Sequence, residues 1–284
     1  MPIPARRSLI LVILLCLGVA SSAAAQPAKA KQDPKPDSKP KLSVLDLIPI
    51  DACGVLAVRN LKELKERGDT LFEKVGPQGG IRPSQLVPMV YQWLGITRGI
   101  DENAPAAVMV MRYPKPESHL VLAVSFDDRN AMAANFGLKG TDLVEGKVVQ
   151  RKSKQVQRGW PIKFANFVTV RDNHIVCGAT AKAVNMMLKA KTLKSKLTKE
   201  QQQVFEKSDL IGHVSVTGMG EGWVEAVDEI TKYLLKVTSD EDPRVAAGLI
   251  EAVKRMETPT FSARLDDGVG AHALLRFADE KPVR

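Results

Sequence analysis

The chain is 284 residues long and 44% hydrophobic, enough to bury a sizeable core, which excludes a wholly disordered chain. Its formal net charge is +9, but two of those charges belong to Arg6 and Arg7 and a net three to residues 26–41, which leaves +4 on residues 42–284. A folded part this mildly basic gives no electrostatic argument for a nucleic-acid partner.

Arg6-Arg7 precede an almost wholly apolar run, Ser8 to Ala20, and Ala23-Ala24-Ala25 offers small residues just before Gln26. This pattern predicts a secretory signal peptide over residues 1–25, cleaved between Ala25 and Gln26, and hence a periplasmic or secreted protein with no mature transmembrane helix. Residues 26–41 hold proline and lysine but no large apolar side chain, so they read as a disordered tether. Residues 42–284 are then the folded domain, with a break into two sub-domains near 191–208 as an option.

From Val44 a short lead-in reaches a buried strand at Gly54–Val58, and Asn60 caps a helix with Leu61, Leu64, Leu71 and Phe72 inward. Pro83 opens a second helix whose apolar stripe is Leu86, Val90, Trp93 and Leu94, closed by Gly95. Ala106–Met111 and Leu120–Ser125 form a hairpin across residues 113–116, followed by a short helix capped at Asp127 or Asp128. A polar section with a weak strand at Val148-Val149 leads to a second hairpin, Ala165–Val170 and Ile175–Cys177, turning at Asp172-Asn173. Thr180 caps the helix that follows, and Ala181, Val184, Met187 and Leu188 share its apolar face.

Thr198 and Gln201 match a capping box, and His213–Val216 reads as a strand. Trp223, Val227, Ile230 and Leu234 share a helical face, and Asp242-Pro243 starts another helix with Ala246, Leu249, Val253 and Met256 inward. A third hairpin, Thr260–Leu265 and Val269–Phe277, places Phe261, Ala263, Leu265, Ala271, Ala273 and Leu275 on its packed face. A hairpin followed by a helix occurs twice and a third hairpin closes the series. The expected class is therefore α+β, a mainly antiparallel sheet built from hairpin-plus-helix units with helices packed on one face.

The motifs for chemistry are sparse. Gly218, Gly220 and Gly222 follow a strand, but their spacing departs from a dinucleotide-binding turn, and a glycine-rich helix entry explains them. His174-x-x-Cys177 lacks the second ligand pair of a structural zinc site, so neither metal nor cofactor is expected. No nucleophile elbow, zinc-protease helix or phosphate loop is present. Cys53 and Cys177, both in apolar runs, remain after cleavage; export permits a disulfide between them, and two separately buried thiols are the alternative.

The densest cluster of charge lies between Lys139 and Lys163. There Lys147, Arg151, Lys152, Lys154 and Arg158, with Trp160 among them, form a candidate anion-binding loop. The partner such a loop suits is an anionic envelope polymer or an envelope protein. Non-catalytic binding or scaffolding in the cell envelope is the function expected, and an envelope hydrolase is the alternative.

Ile48-Pro49-Ile50-Asp51 leading into the first strand, the hairpin and helix of Phe164–Leu188, and Phe205, Ser208, Asp209 and Leu210 before the next strand resemble a family of exported bacterial proteins of unknown function. The likeness spans roughly residues 47–216 and implies an exported α+β domain with no catalytic residues to carry over. Family members often continue past a strand like Val269–Phe277, so the resemblance implies a shortened form.

Overall fold

A computed structural model describes residues 42–75, 82–112, 119–152, 165–220, 223–224, 227–228, 232, 243–265 and 269–277. The expected signal peptide and tether lie outside these residues, as do the turns at 113–116 and 266–268.

The class is α+β. Nine strands form one antiparallel sheet: β1 (Gly54–Val58), β2 (Ala106–Val110), β3 (Leu120–Ser125), β4 (Val149–Gln150), β5 (Phe167–Arg171), β6 (His174–Gly178), β7 (Leu210–Val214), β8 (Met256–Leu265) and β9 (Val269–Phe277). Their spatial order is β4-β5-β6-β3-β2-β1-β7-β8-β9. The helices whose bounds lie among the described residues are α1 (Leu61–Val75), α2 (Pro83–Leu94), α3 (Arg129–Ala134), α4 (Ala181–Lys189), α5 (Lys199–Glu206), α6 (Val216–Met219) and α7 (Pro243–Arg255).

Local chemistry sets many of these elements. Asp172 and Asn173 both adopt positive φ, 48° and 61°, as a two-residue hairpin turn requires. The Thr180 hydroxyl accepts from the Ala183 N–H at 3.2 Å. Thr198 and Gln201 close a reciprocal capping box. Asp128, rather than Asp127, caps α3 through the N–H groups of Asn130 and Ala131. The strand expected at His213–Val216 begins earlier, at Leu210, and stops at Val214, because Ser215 turns to cap α6 by accepting from the Gly218 N–H.

The helices cover both faces of the sheet, not one. Val55, Ala57, Ala107, Met109, Val121, Ala123 and Val176 pack against α4, α5 and the turns Val44–Leu47 and Leu193–Lys196. Ala106, Leu122, Val124, Ile175 and Cys177 face the other way, against α1, α2 and α3. The reason is in the strands: they are apolar at successive positions, not at alternate ones, and such strands need cover on both sides. The two hairpin-plus-helix units also diverge here. Met132 and Ala133 of α3 lie on one face and Val184 and Met187 of α4 on the other, so they are not copies of one unit.

Three more expectations change. Stretch 191–208 is no domain break: Leu193, Leu197 and Phe205 join the main core, and the lead-in bonds to the stretch through Ile50 N–H to Lys191 O and Leu193 N–H to Ile48 O. Among the described side chains of α2 the inward residues are Val87 and Tyr91, whereas Leu86 and Val90 stay 42% and 36% exposed; the side chains of Trp93 and Leu94 lie outside the described residues. On the last hairpin Leu265 is buried, but Ala273 and Leu275 are exposed, while Thr260 and Ser262 on the opposite side are buried.

A buried carboxylate ties the sheet to α1. Asp209, 1% exposed at its side chain, lies 3.2 Å from both Arg59 and Arg67. It also accepts from the Leu265 backbone N–H at 2.6 Å. Glu63 bridges the same two arginines from the solvent side. Asp209→Ala is expected to lower unfolding free energy by about 3 kcal/mol, because it strands the buried Leu265 N–H and leaves Arg59 and Arg67 without their buried counter-charge. Asp209→Asn keeps an acceptor for Leu265 and should cost less. Urea denaturation of the three proteins measures both differences.

Candidate anion-binding cleft

The section 136–152 is a loop closed at both ends. Lys152 donates its N–H to Phe136 O, and Lys147 donates to Val144 O, each at 3.1 Å. The loop is fixed to its surroundings by Arg129, which donates to Leu143 O at 2.8 Å, and by Glu145, which accepts from the Asp172 N–H at 2.9 Å. Gly146, at φ 68°, permits the tight return and donates to Val170 O. Between the two limbs lies a cleft of about 490 Å³. Leu138, Thr141, Asp142 and Val144 line one side, and Lys147, Val149, Gln150, Arg151 and Lys152 the other.

Three of the six expected anion-binding residues thus meet at one cleft, in different states. Lys147 is exposed. Lys152 is 67% exposed at its side chain and sits 3.5 Å from Asp142, an open pair of little energetic weight. Arg151 is turned inward. Its guanidinium donates to Asn135 O at 3.1 Å and lies 5.8 Å from the centre of the Phe136 ring. A Cβ on Gly95, the residue that ends α2, would come within 3.3 Å of it. Its Nε is buried without a hydrogen-bond partner among the described residues. Burial pulls the Arg151 pKa down from its ordinary value. The Lys139 backbone N–H, and then Lys152, hold the Asp142 carboxyl below the usual carboxylate range. Lys154, Arg158 and Trp160 lie outside the described residues.

Two exposed ammonium groups above a half-buried guanidinium can attract and hold an anion by charge. Asp142 is the one carboxylate among the described residues that line the cleft.

The disulfide is overturned. Cys53 and Cys177 are both free and buried. Cys53 immediately precedes β1 and Cys177 lies on β6, with β2 and β3 between those strands. Three strand spacings put them about 14 Å apart, twice the reach of a disulfide. Burial pushes both thiols up to about 12.

His213 and His174, both buried in the sheet, serve structure. His213 Nε2 faces Ile50 O at 3.3 Å and its Nδ1 faces the Thr260 hydroxyl at 2.9 Å, which joins the lead-in, β7 and β8. His174 lies between Asp172 O and Pro105 O. Desolvation lowers the pKa of both rings, that of His213 to about 4. Gly218 is required for packing, since a Cβ there would strike the backbone of Asp51–Cys53, and Gly220 takes φ 55° at the end of α6; Gly222 lies outside the described residues.

Among the described residues no group of three or more His, Cys, Asp or Glu could hold a metal ion, and no helix is long and apolar enough to cross a membrane. No family model, curated protein or solved structure matches the chain.

Both thiols should resist alkylation in the native protein and react fully in denaturant without reductant, which intact mass would record. The depressed His213 value also fixes a pH dependence. The unfolded ring, near 6.5, takes up its proton before the folded one, near 4. Its share of stability is complete above pH 6.5 and is lost as the pH falls towards 4, by roughly 3 kcal/mol. His213→Gln should be less stable at pH 7 and lose less on acidification, a difference that urea titrations at pH 7 and pH 4.5 would read.

Proposed function

We propose that the chain is an exported, non-catalytic binding domain of the cell envelope, and that its cleft takes an anionic group of an envelope polymer or protein. The observation that carries this reading is the convergence of Lys147, Arg151 and Lys152 on one cleft of about 490 Å³. Asp142 pairs with Lys152, and among the described lining residues no second carboxylate offsets Lys147, which favours a positive field at the mouth of the cleft. Export rests on the pattern of residues 1–25, and the resemblance of residues 47–216 to exported bacterial proteins of unknown function supports the same location. Arg151 acts as a fixed charge beneath the cleft, while Lys147 and Lys152 reach the ligand.

Co-sedimentation of the purified protein with isolated cell envelope, at low and high salt, tests this reading. Binding should weaken as salt rises, because exposed charges are screened within about 10 Å at 0.1 M. Lys147→Glu with Lys152→Glu should abolish binding and leave the fold intact, since neither side chain is buried. Undiminished binding by that double variant would overturn the assignment. Arg151 is left unchanged because its contacts with Asn135 and Phe136 support the loop itself.

A further inference from the structure

The two edges of the sheet are built differently. At one edge β4 is two residues long and lies within the loop that frames the cleft. At the other, β9 runs nine residues, and among the described residues no strand pairs with its outer side. Proteins commonly blunt such an edge with proline, lysine, inward charge or a bulge. β9 contains no proline, lysine or acid. Its one permanently charged side chain, Arg276, is directed back to Lys196 O at 2.6 Å. The register shift in this hairpin falls at Met256/Thr258, on the inner strand. His272 and Ala273 are exposed, as is Leu275 at 40%.

The sequence of this edge complements itself. Against a reversed copy, a twofold axis through Ala273 sets Ala273 opposite Ala273 and His272 opposite Leu274. It also sets Ala271 opposite Leu275 and Gly270 opposite Arg276, so at both of these pairs a large side chain meets a small one. The cations of the two copies do not face each other, because each meets a glycine. Moving the axis to Leu274 would instead oppose His272 to Arg276. Ala271, Ala273 and Leu275 lie on one face by alternation, so the pairing would continue their apolar stripe from one copy into the next.

We propose that β9 pairs antiparallel with β9 of a second copy, about Ala273, and joins two nine-stranded sheets into one. A twofold arrangement uses both open edges and closes, so it does not propagate into a fibre. It also has a use. Each cleft lies at the far edge of its own sheet, about 38 Å from β9 at eight strand spacings, so the dimer would present two clefts at opposite ends of one sheet. A repeating anionic polymer would then be held at two points. The pairing does not depend on the cleft's ligand and stands if the envelope assay fails.

The test combines sedimentation velocity of the purified protein over a range of concentrations with two single-cysteine probes. The wild type should show a concentration-dependent dimer, and Ala273→Lys, which brings two lysines face to face, should weaken it at least about tenfold. Under mild oxidant, Ala273→Cys should give a disulfide-linked dimer. Leu275→Cys should not, because the two copies of residue 275 lie about 14 Å apart in this register. Cys53 and Cys177 are buried and stay silent. A monomer at every concentration would overturn the proposal. So would a dimer in which Leu275→Cys cross-links as readily as Ala273→Cys, or in which neither does.

Discussion

The structure depends on one buried charge. Asp209 sits at the entry to β7, and its carboxylate gathers Arg59 from the end of β1, Arg67 from α1 and the Leu265 amide from the end of β8. The backbone repeats the tie: Arg59 N–H reaches Asp209 O, and Asp209 N–H reaches Ala263 O. A carboxylate this deep is tolerable only with several donors around it. Those donors come from parts of the chain far apart in sequence, so the charge is satisfied only when β1, β7, β8 and α1 are in place together. The ion cluster therefore adds specificity to a core whose apolar contacts alone would accept other registers.

The cleft follows from a similar division of labour. Glu145 and Arg129 anchor its loop by side-chain bonds to main chain, and Arg151 adds a third such bond to Asn135 O, so the frame does not rest on Lys147 or Lys152. Arg151 has its guanidinium against Phe136 and Gly95, where it fills space as well as carrying charge. Among the described cations that line the cleft, Lys147 and Lys152 are the two left exposed to meet a ligand. A sheet covered on both faces has its accessible groups at its edges, and the cleft and β9 occupy those edges.

Local features were legible in the sequence and non-local ones were not. Asp172-Asn173, Thr180 and the Thr198 capping box act within a few residues, and their chemistry can be read in place. The strand order could not be read, because nothing in Gly54–Val58 says that Leu210–Val214 will lie beside it. The basic loop was found as a charge cluster, but a charge count does not separate Arg151, bent inward, from Lys147, left outside. Asp209 was noticed only as a strand opener. The missed signal was the spacing of Arg59, Glu63 and Arg67, four residues apart, which brings an acid on α1 between a base on the same helix and one just before it. That pattern calls for a further acid, and Asp209 supplies it. Cys53 and Cys177 invited pairing on count alone, and strand order decided against it.

The place of β1 bears on how the chain folds. It is an early element in sequence, yet it forms the middle of the sheet, with β2 on one side and the much later β7 on the other. Contacts between such distant segments are slow to form, since the intervening chain must be brought together first. As the chain leaves the ribosome, β1 waits with one side open until Leu210–Val214 has been made. The centre of the sheet therefore closes only once about three quarters of the chain has been made, and β8 and β9 then extend it from β7.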